Sequence, residues 1–204
     1  MAQARVKERA PRKERPRKES VFGERFAVFA ECLLTGVWIA VACLGVVTYP
    51  AALAAGARHL RRRTRHEGGG LREFVADFRA ALRHGWAVGL AGWAAVAAVR
   101  LDVQAARAGL PGGPFVGAVG LFALIGLVVA LLRAAAVWTP GDSWRTLLAG
   151  AGRRTVLDPA GSFLIVCGLG VMALSALFVA PLAVPVLGAV AAAAVAVEER
   201  HRHR

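Results

Sequence analysis

The sequence predicts an all-α polytopic transmembrane helix bundle with two cytoplasmic interfacial amphipathic helices, and three observations lead there. First, 57% of the 204 residues are apolar and the mean hydropathy is +0.53, more than a soluble domain of this length needs to fill its core. Second, the excess comes in blocks: no charged residue falls between Cys32 and Ala57, and none in the 39 residues from Pro159 to Val197. A bilayer core of about 30 Å is crossed by about 20 helical residues, so the first block can span once and the second twice. Third, the 26 Lys and Arg residues sit in short runs beside these blocks, which is how a membrane protein sets its orientation.

Taken in order, residues 1–20 alternate Arg, Lys, Glu and Pro, with PRKER at 11–15 nearly repeated as PRKES at 16–20. Such composition predicts a disordered basic arm, placed in the cytoplasm by its charge. The apolar run over 27–47 follows. A basic arm, this run and the small residues Ala51–Ala57 imitate a secretory signal, but a run of 21 residues exceeds the usual length of about 7 to 15, and further hydrophobic segments follow it.

Charge decides how that first segment is threaded. Nine basic residues precede it, eight lie from Arg58 to Arg83, then come Arg100 and Arg107, four from Arg133 to Arg154, and three in the tail. A single crossing by 27–57 would split them 11 against 15, no bias at all. A chain that enters and returns leaves only Arg100 and Arg107 on the far side, as the positive-inside rule prefers. The expectation is a first helix to Val47, a break at Thr48, Tyr49 and Pro50 facing the bundle interior, and a short return helix over 50–60. Backbone left unpaired at membrane depth needs protein or a wet cavity around it.

Beyond the return, Leu71, Phe74, Val75, Phe78 and Leu82 recur at helical spacing, with Arg72, Glu73, Asp77, Arg79 and Arg83 on other faces. This predicts the first interfacial helix. Further spans are expected over 85–103, 115–138, 159–180 and 181–197, the last two divided at Pro181 or Pro185. The string TPGD at 139–142 predicts a turn and helix start leading into Trp144, Leu147, Leu148 and Ala151, the second interfacial helix, with Arg145, Arg153 and Arg154 outward. Asp158 before Pro159 is placed to cap the next helix. Residues 199–204 read as a charged cytoplasmic tail, and 21–198 as one domain.

The same pattern excludes several functions. A net charge of +13 suits nucleic acid, but its dispersal beside apolar segments assigns it to topology, so no nucleic-acid partner is expected. Cys32, Cys43 and Cys167 are isolated within apolar sequence and read as packing residues. His59 and His66 fall in a basic loop and His84 at a helix entry. No metal, cofactor or catalytic residue is expected, for want of a phosphate loop, a Ser-His-Asp set or a zinc motif.

Candidate functional residues are Glu31, an acid one turn inside the first apolar helix, with Trp38 and the Thr48, Tyr49, Pro50 break. Phe74, Phe78 and Arg79, with Trp144 and Arg145, form a candidate partner surface. Arg133 is expected to snorkel to the cytoplasmic face. Spacings such as Gly85-x-x-x-Gly89 and Gly113-x-x-x-Gly117 predict close helix packing.

The order of features resembles the YesL-like bacterial integral membrane proteins, a domain family of unknown function. The matching residues are Trp38, Gly45, Thr48, Pro50, Ala51 and Ala52, then Arg61 to Arg63, then Phe74, Phe78 and Arg79, best over 27–90. The Asn and second aromatic often found after the Phe pair are replaced by Ala80 to Leu82. The resemblance implies a role around sugar uptake, since such proteins are often encoded beside carbohydrate ABC transporters. The expected function is therefore a non-enzymatic accessory or scaffold of the cell membrane, multi-pass with both termini cytoplasmic. Its partners would be the lipid bilayer and ABC transporter permease components. The alternative is a small transporter or channel with its site at the broken first helix.

Overall fold

Seven α-helices and one 3-10 turn make up the described residues of the computed structural model, which are 21–65, 67–109, 112–178 and 183–202, with no strand among them. In chain order the helices are α1 (Val21–Ala42), α2 (Tyr49–Thr64), α3 (Leu71–Arg107), α4 (Gly113–Val137), α5 (Trp144–Leu157), α6 (Pro159–Phe178) and α7 (Ala183–Arg202), with the turn at Cys43–Gly45. The all-α bundle read from the sequence is what the chain forms. The arm expected over 1–20 lies outside the described residues.

Helix α2 is the axis of the bundle. It packs against α1, α3, α4 and α7, and every residue from Pro50 to Ala57 is buried. Five of those eight are alanine, so four neighbours can approach one helix closely. Around it, α1 lies on α7, α3 on α4, and α6 on α7, while α5 closes over the end of α4.

Three described helices are long and apolar enough to cross a bilayer: α3, α4 and α6. Only 6%, 28% and 11% of their most apolar stretches are buried inside the protein. Trp86, Leu90, Trp93, Phe115, Phe122, Phe163, Leu177 and Phe178 all point outward. Apolar surface on this scale is stable only where the solvent is itself apolar, so the chain is a membrane protein.

The first segment turns back earlier than the sequence suggested. Helix α1 ends at Ala42, and Pro50, expected in the break, is the second residue of α2 and buried. The reversal is built on Val46, whose φ of 41° is rarely adopted by a β-branched residue. Thr48 Oγ1 donates to the Ala42 carbonyl at 2.5 Å and Trp93 Nε1 to the Val46 carbonyl at 2.8 Å, and the Val46, Val47 and Thr48 N–H groups bond within the turn, so these freed backbone groups are satisfied. Leu44 and Val46 nevertheless face outward; side-chain hydrogen bonds, rather than burial in the interior, make the break tolerable. Glycine permits its seat on α3, because a Cβ at Gly89 would strike the Val47 carbonyl and one at Gly92 the Tyr49 hydroxyl.

The first amphipathic stretch is not a separate surface helix. It is the opening third of the 37-residue α3, which begins where the Glu73 carboxylate accepts from the Gly70 N–H at 2.8 Å and meets no proline. Gly85, at the expected boundary, is buried under Trp144. The second amphipathic stretch does form its own helix, α5, with Trp144 and Ala151 buried after a turn in which Asp142 Oδ2 accepts from the Thr139 N–H and hydroxyl.

Asp158 caps α6 as expected, accepting from the Gly161 N–H at 3.1 Å. Pro185 does not divide the last two helices; it lies in the first turn of α7, where a missing N–H costs nothing, and Pro181 lies outside the described residues. The residues expected as a tail continue α7 through Arg202, and 203–204 lie outside the described residues.

Candidate functional site

The charged groups buried in the bundle collect at one end of it. The chain brings there the middle of α1, the end of α2, the first turns of α3, the ends of α4, α5 and α7, and the start of α6. Three clusters result.

In the first, Glu31 of α1 accepts from His59 Nε2 and Arg63 Nε of α2, both at 2.8 Å. His59 is 1% exposed, packed inside the bundle rather than in a basic loop, and the Trp38 ring meets it edge-on with centroids 5.0 Å apart. Phe74 of α3 covers the other side of Trp38 at 5.5 Å. In the second, Asp77 of α3 is held by Arg58 and Arg62 of α2, each at 3.0 Å.

The third is the most enclosed. Arg133 of α4 is 0% exposed; it binds Asp158 at 3.0 Å, Glu198 of α7 at 3.2 Å, and the Ser162 hydroxyl at 3.3 Å. Arg154 of α5 reaches the other oxygen of Glu198 at 3.2 Å. Arg133 therefore does not snorkel to water: its charge is neutralised within the protein, as a buried guanidinium requires. The Arg133 guanidinium, with the Gly161 N–H, holds the Asp158 carboxyl below the usual aspartate range. Arg61 joins the clusters by donating to the Trp138 carbonyl at the end of α4.

The candidate residues of the first helix are not brought together. Glu31 and Trp38 join the charged end, whereas Thr48, Tyr49 and Pro50 sit at the opposite end of the α1–α2 hairpin. Beside that break lies a cavity of about 300 Å³ lined by Tyr49, Leu53, Trp93, Leu131, Met172 and other apolar side chains. Of the candidate partner surface, Phe74 and Trp144 are buried and Phe78 half-buried, so only Arg79 and Arg145 are fully outward.

Sequence reasoning missed His59, Asp77, Asp158 and Glu198 as site members. The one available signal was adjacency for three of them: His59, Asp158 and Glu198 each lie within two residues of a charge-free block, whereas nothing local marked Asp77. Among the described residues no group of three His, Cys, Asp or Glu side chains could hold a metal ion. No family model, curated protein or solved structure matches the chain.

Proposed function

We propose that this chain is a non-enzymatic, multi-pass accessory or scaffold protein of the cell membrane, serving a carbohydrate uptake system by contact with its ABC-type permease components. The observation that carries the reading is the fate of the buried polar groups. Within the described clusters they pair acid with base, at one end of the bundle, where they tie the helices together. The body of the bundle offers Ala, Leu, Val and Gly, with Thr35 and Thr48 hydroxyls spent on backbone carbonyls. A rigid body with a basic end and wide apolar flanks is suited to hold other membrane helices. The carbohydrate assignment itself rests on the resemblance carried by Trp38, Thr48, Pro50, Phe74 and Phe78.

Orientation follows from the same end. It carries Arg58 to Arg65, Arg79, Arg83, Arg145, Arg153 and Arg154, against Arg100 and Arg107 at the other, and the positive-inside rule assigns it to the cytoplasm with both termini.

The transporter reading is weaker because its elements part company. Glu31 is at the charged end, and the cavity at the break has almost no polar lining to replace the water around an ion or sugar. Mild-detergent extraction of the tagged chain from native membranes, with mass spectrometry of what accompanies it, decides between them. Permease subunits in reproducible ratio are expected. Recovery of the chain alone, together with sugar flux in proteoliposomes holding only this protein, would overturn the proposal.

A further inference from the structure

Outside the three clusters, a cavity of about 710 Å³ opens between the first half of α3 and the start of α5. Its wall from α3 supplies Arg83, His84 and Trp86; its other wall takes Trp138 from the α4–α5 connection and Trp144 and Arg145 from the first turn of α5. Both walls are fixed. Trp144 Nε1 donates to the Ala81 carbonyl at 3.2 Å, and its ring lies over Gly85, so α5 is pinned to the α3 turn that carries Arg83.

The charge in this cavity is unbalanced. Arg83 and Arg145 are exposed, and among the described residues neither has an ion-pair partner. The one acid in the lining, Asp142, has its Oδ2 occupied by Thr139. Two unpaired guanidiniums in a fixed concavity are complementary to a phosphate, which can accept from both.

Depth and shape indicate what carries the phosphate. The cavity lies where charge gives way to apolar sequence: the charge-free part of α3 begins at His84 and Gly85, and α4 ends at Val137. Tryptophan and arginine meet at this level in membrane proteins because it is the headgroup level. From the cavity, Trp86, Leu90 and Trp93 run along α3 at spacings of four and three residues, all about half exposed, so they form one outward stripe toward the far side. A free phosphate would use the arginines alone; a phospholipid uses the arginines and the stripe.

We infer that this cavity is a binding site for an anionic phospholipid, with its phosphate between Arg83 and Arg145 and an acyl chain along Trp86, Leu90 and Trp93. The zwitterionic lipids that share the phosphate carry a compensating ammonium and are bound less well.

Native mass spectrometry of the full chain in mild detergent tests this, with phosphatidylglycerol, phosphatidylcholine and inorganic phosphate added separately. Phosphatidylglycerol should be retained in preference to phosphatidylcholine, and inorganic phosphate should not displace it. Each arginine removed should weaken retention about five-fold, so the Arg83→Gln/Arg145→Gln pair loses roughly twenty-five-fold. Arg65→Gln/Arg153→Gln, which removes the same charge from the same end of the bundle, should lose little. Ala87→Trp, filling the cavity while leaving both arginines, should weaken retention too, and Arg83→Lys/Arg145→Lys should restore part of it. Equal loss in the two Gln pairs, or full retention in Ala87→Trp, overturns the site. Efficient competition by inorganic phosphate overturns the lipid and assigns the cavity to soluble phosphate anions.

Discussion

Arg133 and Glu198, 65 positions apart, meet as a buried pair with Nη1 3.2 Å from Oε1. Breaking a buried pair costs more than the pair is worth, because the survivor keeps its charge and loses its counter-charge. Arg133→Met should therefore destabilise the bundle by about 3–5 kcal/mol, seen as a fall in melting temperature on the order of 10 °C in detergent. Arg133→Met/Glu198→Gln should recover part of that loss, since the most deeply buried acid is then no longer charged opposite nothing, while Asp158 and Arg154, which also lose a partner, are both partly exposed. A single variant that melts with the native chain would show that the pair contributes no order to this end of the bundle.

The same cluster sets an acid limit. Asp158 has its carboxyl held below the ordinary aspartate value of 3.8, first by the Arg133 guanidinium and then by the Gly161 N–H. A depressed folded value means that the unfolded chain binds the proton more readily, so the stabilisation is whole above about pH 4 and is lost as pH falls through the lower folded value. Melting temperature measured downward from neutral pH should thus fall below pH 4, and Asp158→Asn should start lower and fall less steeply over that window. An equal acid slope in the variant would move the effect to other carboxylates.

Much of this fold was legible because its signals are local. Charge-free length located the bundle, TPGD located the turn before Trp144, and Asp158 announced the start of α6. The errors came where a local signal met a distant partner. Gly85 looked like a boundary, yet it admits Trp144 from 59 positions away, and the helix runs on. Arg133 looked like a snorkelling residue because nothing near it in sequence neutralises it; Glu198 does so from another helix. Asp77 fell on the polar face of an amphipathic pattern, although Arg58 and Arg62 make burial of that face possible. Thr48 was recognised at the break, but that its hydroxyl would bond back to Ala42 depends on a backbone reversal at Val46 that no propensity suggests.

Helices α1 and α7 cross at Gly36 and Gly188. A Cβ at Gly36 would strike the Val184 carbonyl, and one at Gly188 the Cys32 carbonyl; backbone cannot move aside as a side chain does. Gly36→Ala and Gly188→Ala should each cost about 1–3 kcal/mol, the range for overpacking. Gly170→Ala supplies the contrast. Nothing lies within 4 Å of its Cβ position, and alanine is the better helix former by about 0.8–1 kcal/mol, so this variant should be neutral or stabilising. Thermal unfolding of the three side by side checks the crossing, and equal behaviour would refute it.

The α1–α2 hairpin has a length that its chemistry can test. From Cys32 to Ala42 and from Tyr49 to Ala57 each arm is charge-free for about 14–16 Å at 1.5 Å per residue, half of an apolar core of about 30 Å. The break at Cys43 should therefore lie near mid-membrane, with the Arg58–Arg65 segment at one surface and the α3–α4 connection at the other. Cys32, Cys43 and Cys167 should then resist a membrane-impermeant maleimide in intact vesicles and react after detergent is added. Against that background, Arg62→Cys and Ala108→Cys should be labelled from opposite sides. Labelling of both from one side would refute the odd number of crossings between them, and rapid labelling of native Cys43 without detergent would place the break in water.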